Sequence, residues 1–89
     1  MRKLSKEQLT ALILRKLARR GYWGGRHTNI TVVHRLNGRG HMSISKRILE
    51  DLTKLEWLMV KITSYGKEVS LNPRLKAQIE RYIKSALGD

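Results

Sequence analysis

The amino-acid sequence predicts a small α+β domain, in which a core of three helices is followed by a two-stranded β-hairpin and an extra C-terminal helix. Three observations support this class. Apolar residues recur at helical spacing over positions 44–55, and over positions 57–71 they alternate on either side of a turn. The chain of 89 residues fits one domain, which we place at residues 1–89.

Helix 1 is predicted over residues 6–20. Ser5 and Gln8 have the spacing of a capping box, in which each side chain bonds the backbone amide of the other residue. Gly21 is the expected left-handed stop. The apolar face of this helix consists of residues at helical spacing: Leu9, Leu12, Ile13 and Leu17.

Helix 2 is predicted over residues 29–36, with Thr28 as its cap. It is supported by three apolar residues that share one helical face: Ile30, Val33 and Leu36. The β-branched run at positions 30–33 keeps a strand open as the alternative. Residues 37–40 read Asn-Gly-Arg-Gly, which is typical of a turn, and they would join helix 2 to helix 3 in a helix-turn-helix.

Helix 3 is predicted over residues 44–55, and either Ser43 or Ser45 can cap its start. Its apolar stripe consists of Ile48, Leu49, Leu52 and Leu55. The hairpin follows over residues 57–71, with a turn at positions 64–67. Gly66 can adopt the positive φ that such a turn requires.

Helix 4 is predicted over residues 74–87. Asn72 is its cap, and Pro73 fits the first turn because its missing amide hydrogen would have no partner there. The apolar residues of this helix form one long stripe: Leu75, Ile79, Ile83 and Leu87. This stripe predicts either the interface of a homodimer or packing against helix 1 in the same chain.

The charge balance points to a polyanionic partner. Nineteen Lys and Arg against seven Asp and Glu give a net charge of +12, and nucleic acid is the commonest partner of so basic a domain. The chain has no cysteine, which excludes disulfides and thiolate metal sites. No segment approaches the roughly 20 apolar residues of a membrane span or the pattern of a signal peptide. We therefore expect a cytoplasmic protein with no membrane partner.

Three stretches carry a resemblance to a known family: residues 21–28, the leucine-rich helix 3, and residues 69–73, which read Val-Ser-Leu-Asn-Pro. Together they resemble the winged helix-turn-helix DNA-binding proteins, and in particular the small stand-alone type of archaea. The resemblance implies a regulator of transcription that docks helix 3 in the major groove of double-stranded DNA. The hairpin, or wing, would lie on the backbone or in the minor groove. One departure is Glu56, which stands where the family usually has glycine.

The positions that the resemblance assigns to DNA contact hold nine candidate residues. Lys46 and Arg47 can read guanine, because guanine O6 and N7 both accept hydrogen bonds from one cation. Asp51 is expected to face away, since a carboxylate would repel phosphate. The predicted contact residues are Arg39, His41, Ser43, Ser45, Lys46, Arg47, Lys61, Tyr65 and Lys67.

Two other functions stay open. One is RNA or ribonucleoprotein binding, in which the Tyr22–Trp23 loop would stack on bases; the other is a protein-interaction module. An enzyme is not expected, because Glu50 and Asp51 are adjacent on a helix and point about 100° apart. Three histidines spaced seven residues apart do not have zinc-ligand spacing, so we predict no metal and no cofactor.

Overall fold

The computed structural model describes residues 3–88, so residues 1, 2 and 89 of the predicted domain lie outside it. Within residues 3–88 the class is α+β, as predicted, with four helices and a three-stranded antiparallel sheet. The helices are α1 (Lys6–Arg19), α2 (Ile30–His34), α3 (Met42–Lys54) and α4 (Lys76–Leu87). The strands are β1 (Thr28–Asn29), β2 (Leu58–Thr63) and β3 (Gly66–Leu71), and 3-10 turns precede α3 and α4 at Arg39–His41 and Pro73–Leu75.

The sheet contains one strand more than the predicted hairpin. β1 pairs antiparallel with β3, Thr28 opposite Val69, so the strand order is β1-β3-β2 with β3 in the centre. Thr28 is therefore a buried sheet residue, and the prediction that it caps helix 2 is wrong. Asn29 is the cap instead, because its side chain accepts a hydrogen bond from the Thr31 amide at 2.9 Å.

The first helix confirms its predicted signals. The Ser5 hydroxyl accepts from the Gln8 amide at 3.1 Å, and the Gln8 side chain accepts from the Ser5 amide at 3.0 Å. Beyond the end of α1, Gly21 adopts a φ of +75°. The Gly21 amide donates to the Ala18 carbonyl and the Tyr22 amide to the Leu17 carbonyl, which is the bond pattern of a Schellman motif.

The third helix ends in the same motif without a glycine. The Glu56 amide donates to the Thr53 carbonyl, and the Trp57 amide donates to the Leu52 carbonyl. Glu56 has a φ of 63°, so a residue with a side chain occupies the left-handed position that glycine favours. The side chain of Glu56 is thus a source of local backbone strain at the junction between α3 and β2.

Replacing Glu56 by glycine is expected to raise the free energy of unfolding by about 0.5–1 kcal/mol. The left-handed conformation costs roughly 1–2 kcal/mol with a side chain, and the gain is reduced by roughly 0.5–1 kcal/mol because glycine makes the unfolded chain more flexible. Urea unfolding of Glu56→Gly beside Glu56→Ala separates backbone strain from the lost carboxylate. Equal stability of the two variants would contradict the strain.

The start of α3 differs from its prediction. A 3-10 turn over Arg39–His41 leads directly into Met42, so the helix begins before both candidate caps, and Ser43 and Ser45 lie inside it. Leu55, assigned to the apolar stripe, is the C-cap residue and is 61% exposed. The turn itself is as predicted, with Gly38 at a φ of +88°.

A hydrogen-bonded clamp holds the turn between α2 and α3 against α1. The Lys16 ammonium donates to the Leu36 carbonyl, and the Asn37 side-chain amide donates to the Leu9 carbonyl at 3.0 Å. The His41 Nδ1 bonds the Asn37 carbonyl at 2.8 Å. Burial, and then the charges of Arg20 and Arg15, lower the pKa of Lys16. The clamp fixes the direction in which α3 leaves the turn.

The fourth helix uses its apolar stripe within the chain. Ile79 is fully buried and Ile83 is 8% exposed in the core that includes α1, and Leu75 and Leu87 pack against that core. The stripe therefore packs inside one chain, which is the second of the two predicted alternatives, and it gives no support to a homodimer interface. The predicted cap is present, because the Asn72 side chain accepts from the Arg74 amide at 3.1 Å.

The Tyr22–Trp23 loop seals one end of the core. Both aromatic side chains are partly buried and pack against it. The Leu71 amide donates to the Tyr22 carbonyl at 2.8 Å, and the Lys76 ammonium lies 5.7 Å from the centre of the Trp23 ring. Within residues 3–88, no helix has both the length and the apolar composition that a membrane span requires.

Candidate nucleic-acid interface

The helix predicted to meet base edges has one buried face and one solvent face. Ile48, Leu49 and Leu52 are buried in the core. The solvent face of α3 carries polar and charged residues, all of them exposed: Ser43, Lys46, Arg47, Glu50, Thr53 and Lys54. Three of the four predicted contact residues on α3 are therefore accessible to a ligand.

The fourth, Ser45, is not accessible. Its side chain is fully buried, and its hydroxyl has no hydrogen-bond partner among residues 3–88. The assignment of Ser45 to nucleic-acid contact is corrected, because the residue lies on the core face of α3. The sequence does indicate this burial. Ser45 stands three and four residues before Ile48 and Leu49, so helical spacing places it on the same face of α3 as these two core residues.

Asp51 faces away from the solvent face of α3, as expected. Its carboxylate forms an ion pair with the Lys6 ammonium of α1 at 2.9 Å. The hydrogen bond from Lys6 is the main cause that lowers the pKa of Asp51, and the charges of Lys54 and Arg47 act in the same direction. The pair removes one carboxylate from the surface that would meet phosphate.

The ion pair between Asp51 and Lys6 should make the free energy of unfolding depend on pH in the acid range. Because the pKa is lower in the folded chain than in the unfolded one, the stabilisation is complete above about pH 4 and is lost as the pH falls through the folded-state pKa. We expect Asp51→Asn to be less stable than the parent at pH 7 and the difference to shrink at pH 3. The measurement is urea unfolding at both values, with Lys6→Gln as a second route to the same loss. If Asp51→Asn were less stable than the parent by the same amount at pH 3 and at pH 7, the ion pair would not contribute to stability.

The wing separates the two lysines predicted to line it. Lys67 lies opposite Ile62 in the register of β2 and β3, and Lys61 lies opposite Glu68. Because neighbouring residues on a strand point to opposite faces, the two lysines lie on opposite faces of the hairpin. Tyr65 is 91% exposed in the turn between the strands.

An open groove of about 650 Å³ runs between α2, α3 and the wing. Its apolar walls are formed by Ile30, Leu49, Val60 and Ile62. Its polar lining includes three lysines and one carboxylate and consists of Lys46, Lys54, Lys67, His34, Thr53 and Glu50. The groove thus brings two of the predicted contact residues together, Lys46 of α3 and Lys67 of the wing, whereas Lys61 and Arg47 are not among its lining residues.

Two charged or titratable residues that line the groove, Lys54 and His34, were not predicted to contact nucleic acid. Lys54 follows Arg47 by seven residues, so helical spacing alone places both on one face. His34 could not be found this way, because it reaches the groove from α2. Burial, and then the charge of Lys46, lower the pKa of His34 and so disfavour its charged form.

The two candidates of the turn differ from each other. Arg39 is exposed in the 3-10 turn and is free to reach a phosphate. His41 is partly buried, and its Nδ1 is engaged by the Asn37 carbonyl. The ring of His41 therefore holds the turn through its Nδ1, and that nitrogen is not available to a ligand.

The positive charge extends beyond the groove. Between Glu7 and Glu50 the sequence has no acidic residue and nine Lys and Arg. This stretch contains most of α1, all of α2 and the first half of α3. Within residues 3–88 no three His, Asp or Glu side chains stand close enough together to hold a metal ion. The cations that the groove and this stretch supply can attract a polyanion.

The chain was compared with protein families, with curated proteins and with solved structures. No family model, no curated protein and no solved structure matches the chain.

Proposed function

We propose that this protein binds double-stranded DNA as a winged helix-turn-helix and regulates transcription. α3 docks in the major groove, and the wing lies on the backbone or in the minor groove. The observation that carries the proposal is the groove between them. It combines cations from α3 and from the wing, Lys46, Lys54 and Lys67, with a single carboxylate, Glu50, among its described lining residues.

The dimensions of α3 fit this role. A major groove about 12 Å wide admits one α-helix, and a helix of 13 residues is about 20 Å long. Its solvent face begins with Ser43, Lys46 and Arg47, in the N-terminal half that meets base edges in such complexes. Exposed cations from α3 and the wing can then reach phosphates on either side.

The segment between Glu7 and Glu50, which has no acidic residue, also supports DNA binding. Nine cations without an acidic residue between Glu7 and Glu50 create a positive field over one part of the chain. Such a field steers a polyanion to the surface and speeds association at low salt. A protein-interaction module would need no such field.

The test is binding of the full chain to duplex DNA, duplex RNA and single strands over a salt series. For duplex DNA we expect the logarithm of the association constant to fall linearly with the logarithm of salt concentration, by about 0.9 for each phosphate neutralised. Tighter binding to duplex RNA or to single strands would overturn the DNA proposal in favour of RNA binding. Binding to no nucleic acid would leave the protein-interaction module.

A further inference from the structure

The aromatic residues of this chain fall into two groups by exposure. The sequence has two tryptophans and three tyrosines. Tyr22, Trp23, Trp57 and Tyr82 are partly buried and pack against the core, where Trp57 and Tyr82 meet edge to face with ring centres 5.4 Å apart. Tyr65 is 91% exposed. Core packing accounts for the first four rings and does not account for the fifth.

The backbone beneath Tyr65 is held in place. The strand register continues to the pair Thr63 and Gly66, so the loop consists of Ser64 and Tyr65 alone. The Thr63 hydroxyl donates to the Gly66 carbonyl at 2.9 Å and accepts from the Tyr65 amide at 3.2 Å. A two-residue loop fixed by these bonds presents the ring from a defined position at the tip of the wing.

The stem of the wing extends beyond the core. On the face that includes Leu58, Val60 and Ile62, exposure rises from 2% through 38% to 78% toward the tip. Lys67 stands opposite Ile62 near the tip. The end of the wing therefore combines exposed apolar surface with a cation, whereas a wing that only contacts phosphates needs cations and hydrogen-bond donors alone.

We propose that Tyr65 is a wedge that inserts its ring against or between base pairs of the duplex and deforms it, a step that rests on the proposed function. Side chains that unstack a base step are apolar or aromatic, stand at the tip of a protruding element and are flanked by cations that hold the backbone. A platform for single strands needs several aromatic rings in succession, and this wing has one. One ring fits one base step of a duplex.

The ring and the hydroxyl of Tyr65 can be tested separately. We expect Tyr65→Ala to weaken duplex binding about five- to hundred-fold, the range of base–aromatic stacking, and Tyr65→Phe to bind like the parent. The salt slope of Tyr65→Ala should equal that of the parent, because the ring neutralises no phosphate. Lys67→Ala is the matched control in the same wing and should lower the slope by about one. All three substitutions are at exposed positions, so the fold is kept.

Deformation of the duplex has its own readout. A duplex that contains 2-aminopurine should brighten when the parent or Tyr65→Phe binds, since unstacking relieves the quenching of this base, and it should stay dark with Tyr65→Ala at saturation. Unchanged affinity of Tyr65→Ala, or an equal fluorescence change with all three proteins, would overturn the wedge. Loss of binding in Tyr65→Phe would assign the role to the hydroxyl and also overturn it.

The wedge and the proposed function can fail separately. If the parent binds duplex DNA with a negative salt slope and Tyr65→Ala behaves identically, the wedge fails and DNA binding stands. If the parent binds no duplex at any salt concentration, both proposals fail.

Discussion

Replacing Arg47 by alanine is expected to weaken duplex DNA binding about ten- to hundred-fold, the effect of losing one cation that bonds a base edge. Arg47 is exposed on the solvent face of α3, and within residues 3–88 it forms no ion pair. Its guanidinium is therefore available to the two acceptors of guanine. The measurement is fluorescence anisotropy with a labelled duplex at fixed salt.

Arg81→Ala is the matched control for this prediction. Arg81 is also an exposed arginine on a helix, but it belongs to α4, which packs on α1, and not to the solvent face of α3. Its removal lowers the net charge by the same amount and should change binding little. Equal losses in Arg47→Ala and Arg81→Ala would mean that net charge alone drives binding. A change of preferred base at one position of the site, found only in Arg47→Ala, would identify the base that Arg47 reads.

Replacing Gly38 by alanine is expected to lower the free energy of unfolding by roughly 1–3 kcal/mol. Gly38 has a φ of 88° and a ψ of 166°, a backbone region that is almost restricted to glycine and strains any side chain. No atom lies within 4 Å of a Cβ added there, so the cost comes from the backbone alone. For a domain whose total stability is about 5–15 kcal/mol, such a loss is readily seen in urea unfolding.

Gly40→Ala, two residues further on, provides the comparison. Gly40 also has open space around a Cβ, and its φ is not in the left-handed region. We expect this variant to unfold within about 0.5 kcal/mol of the parent, as substitutions at exposed sites usually do. If both alanine variants lost the same stability, the conformation of Gly38 would not be the cause.

The parts of this fold that could be predicted from the sequence are those set by neighbours along the chain. The capping box of Ser5 and Gln8, the stop at Gly21 and the Asn72 cap all act within a few residues, and the structure confirms each one. The strand β1 depends on a distant partner instead. Thr28 and Asn29 become a strand only because β3 lies beside them, and the pattern of positions 28–36 contains no sign of that partner.

The candidate site divides in the same way. Helical spacing was enough to place Lys46 and Arg47 on one exposed face, and it would have placed Lys54 there and Ser45 in the core. The groove itself could not be predicted, because it needs the relative positions of α2, α3 and the wing. His34 of α2 and Ile62 of the wing come to line the same groove only in the folded chain.

Because β3 is the central strand, the sheet can form only after β3 has been synthesised. During synthesis β1 emerges from the ribosome first, yet both of its paired residues have their partners in β3, at Glu68 and Val69. β2 must wait for the same strand. A nascent chain that stops before residue 66 therefore contains the segments of β1 and β2 but lacks the strand with which both of them pair. Pairing between distant segments is also the slow part of folding, so the sheet is expected to close last and only after translation has passed β3.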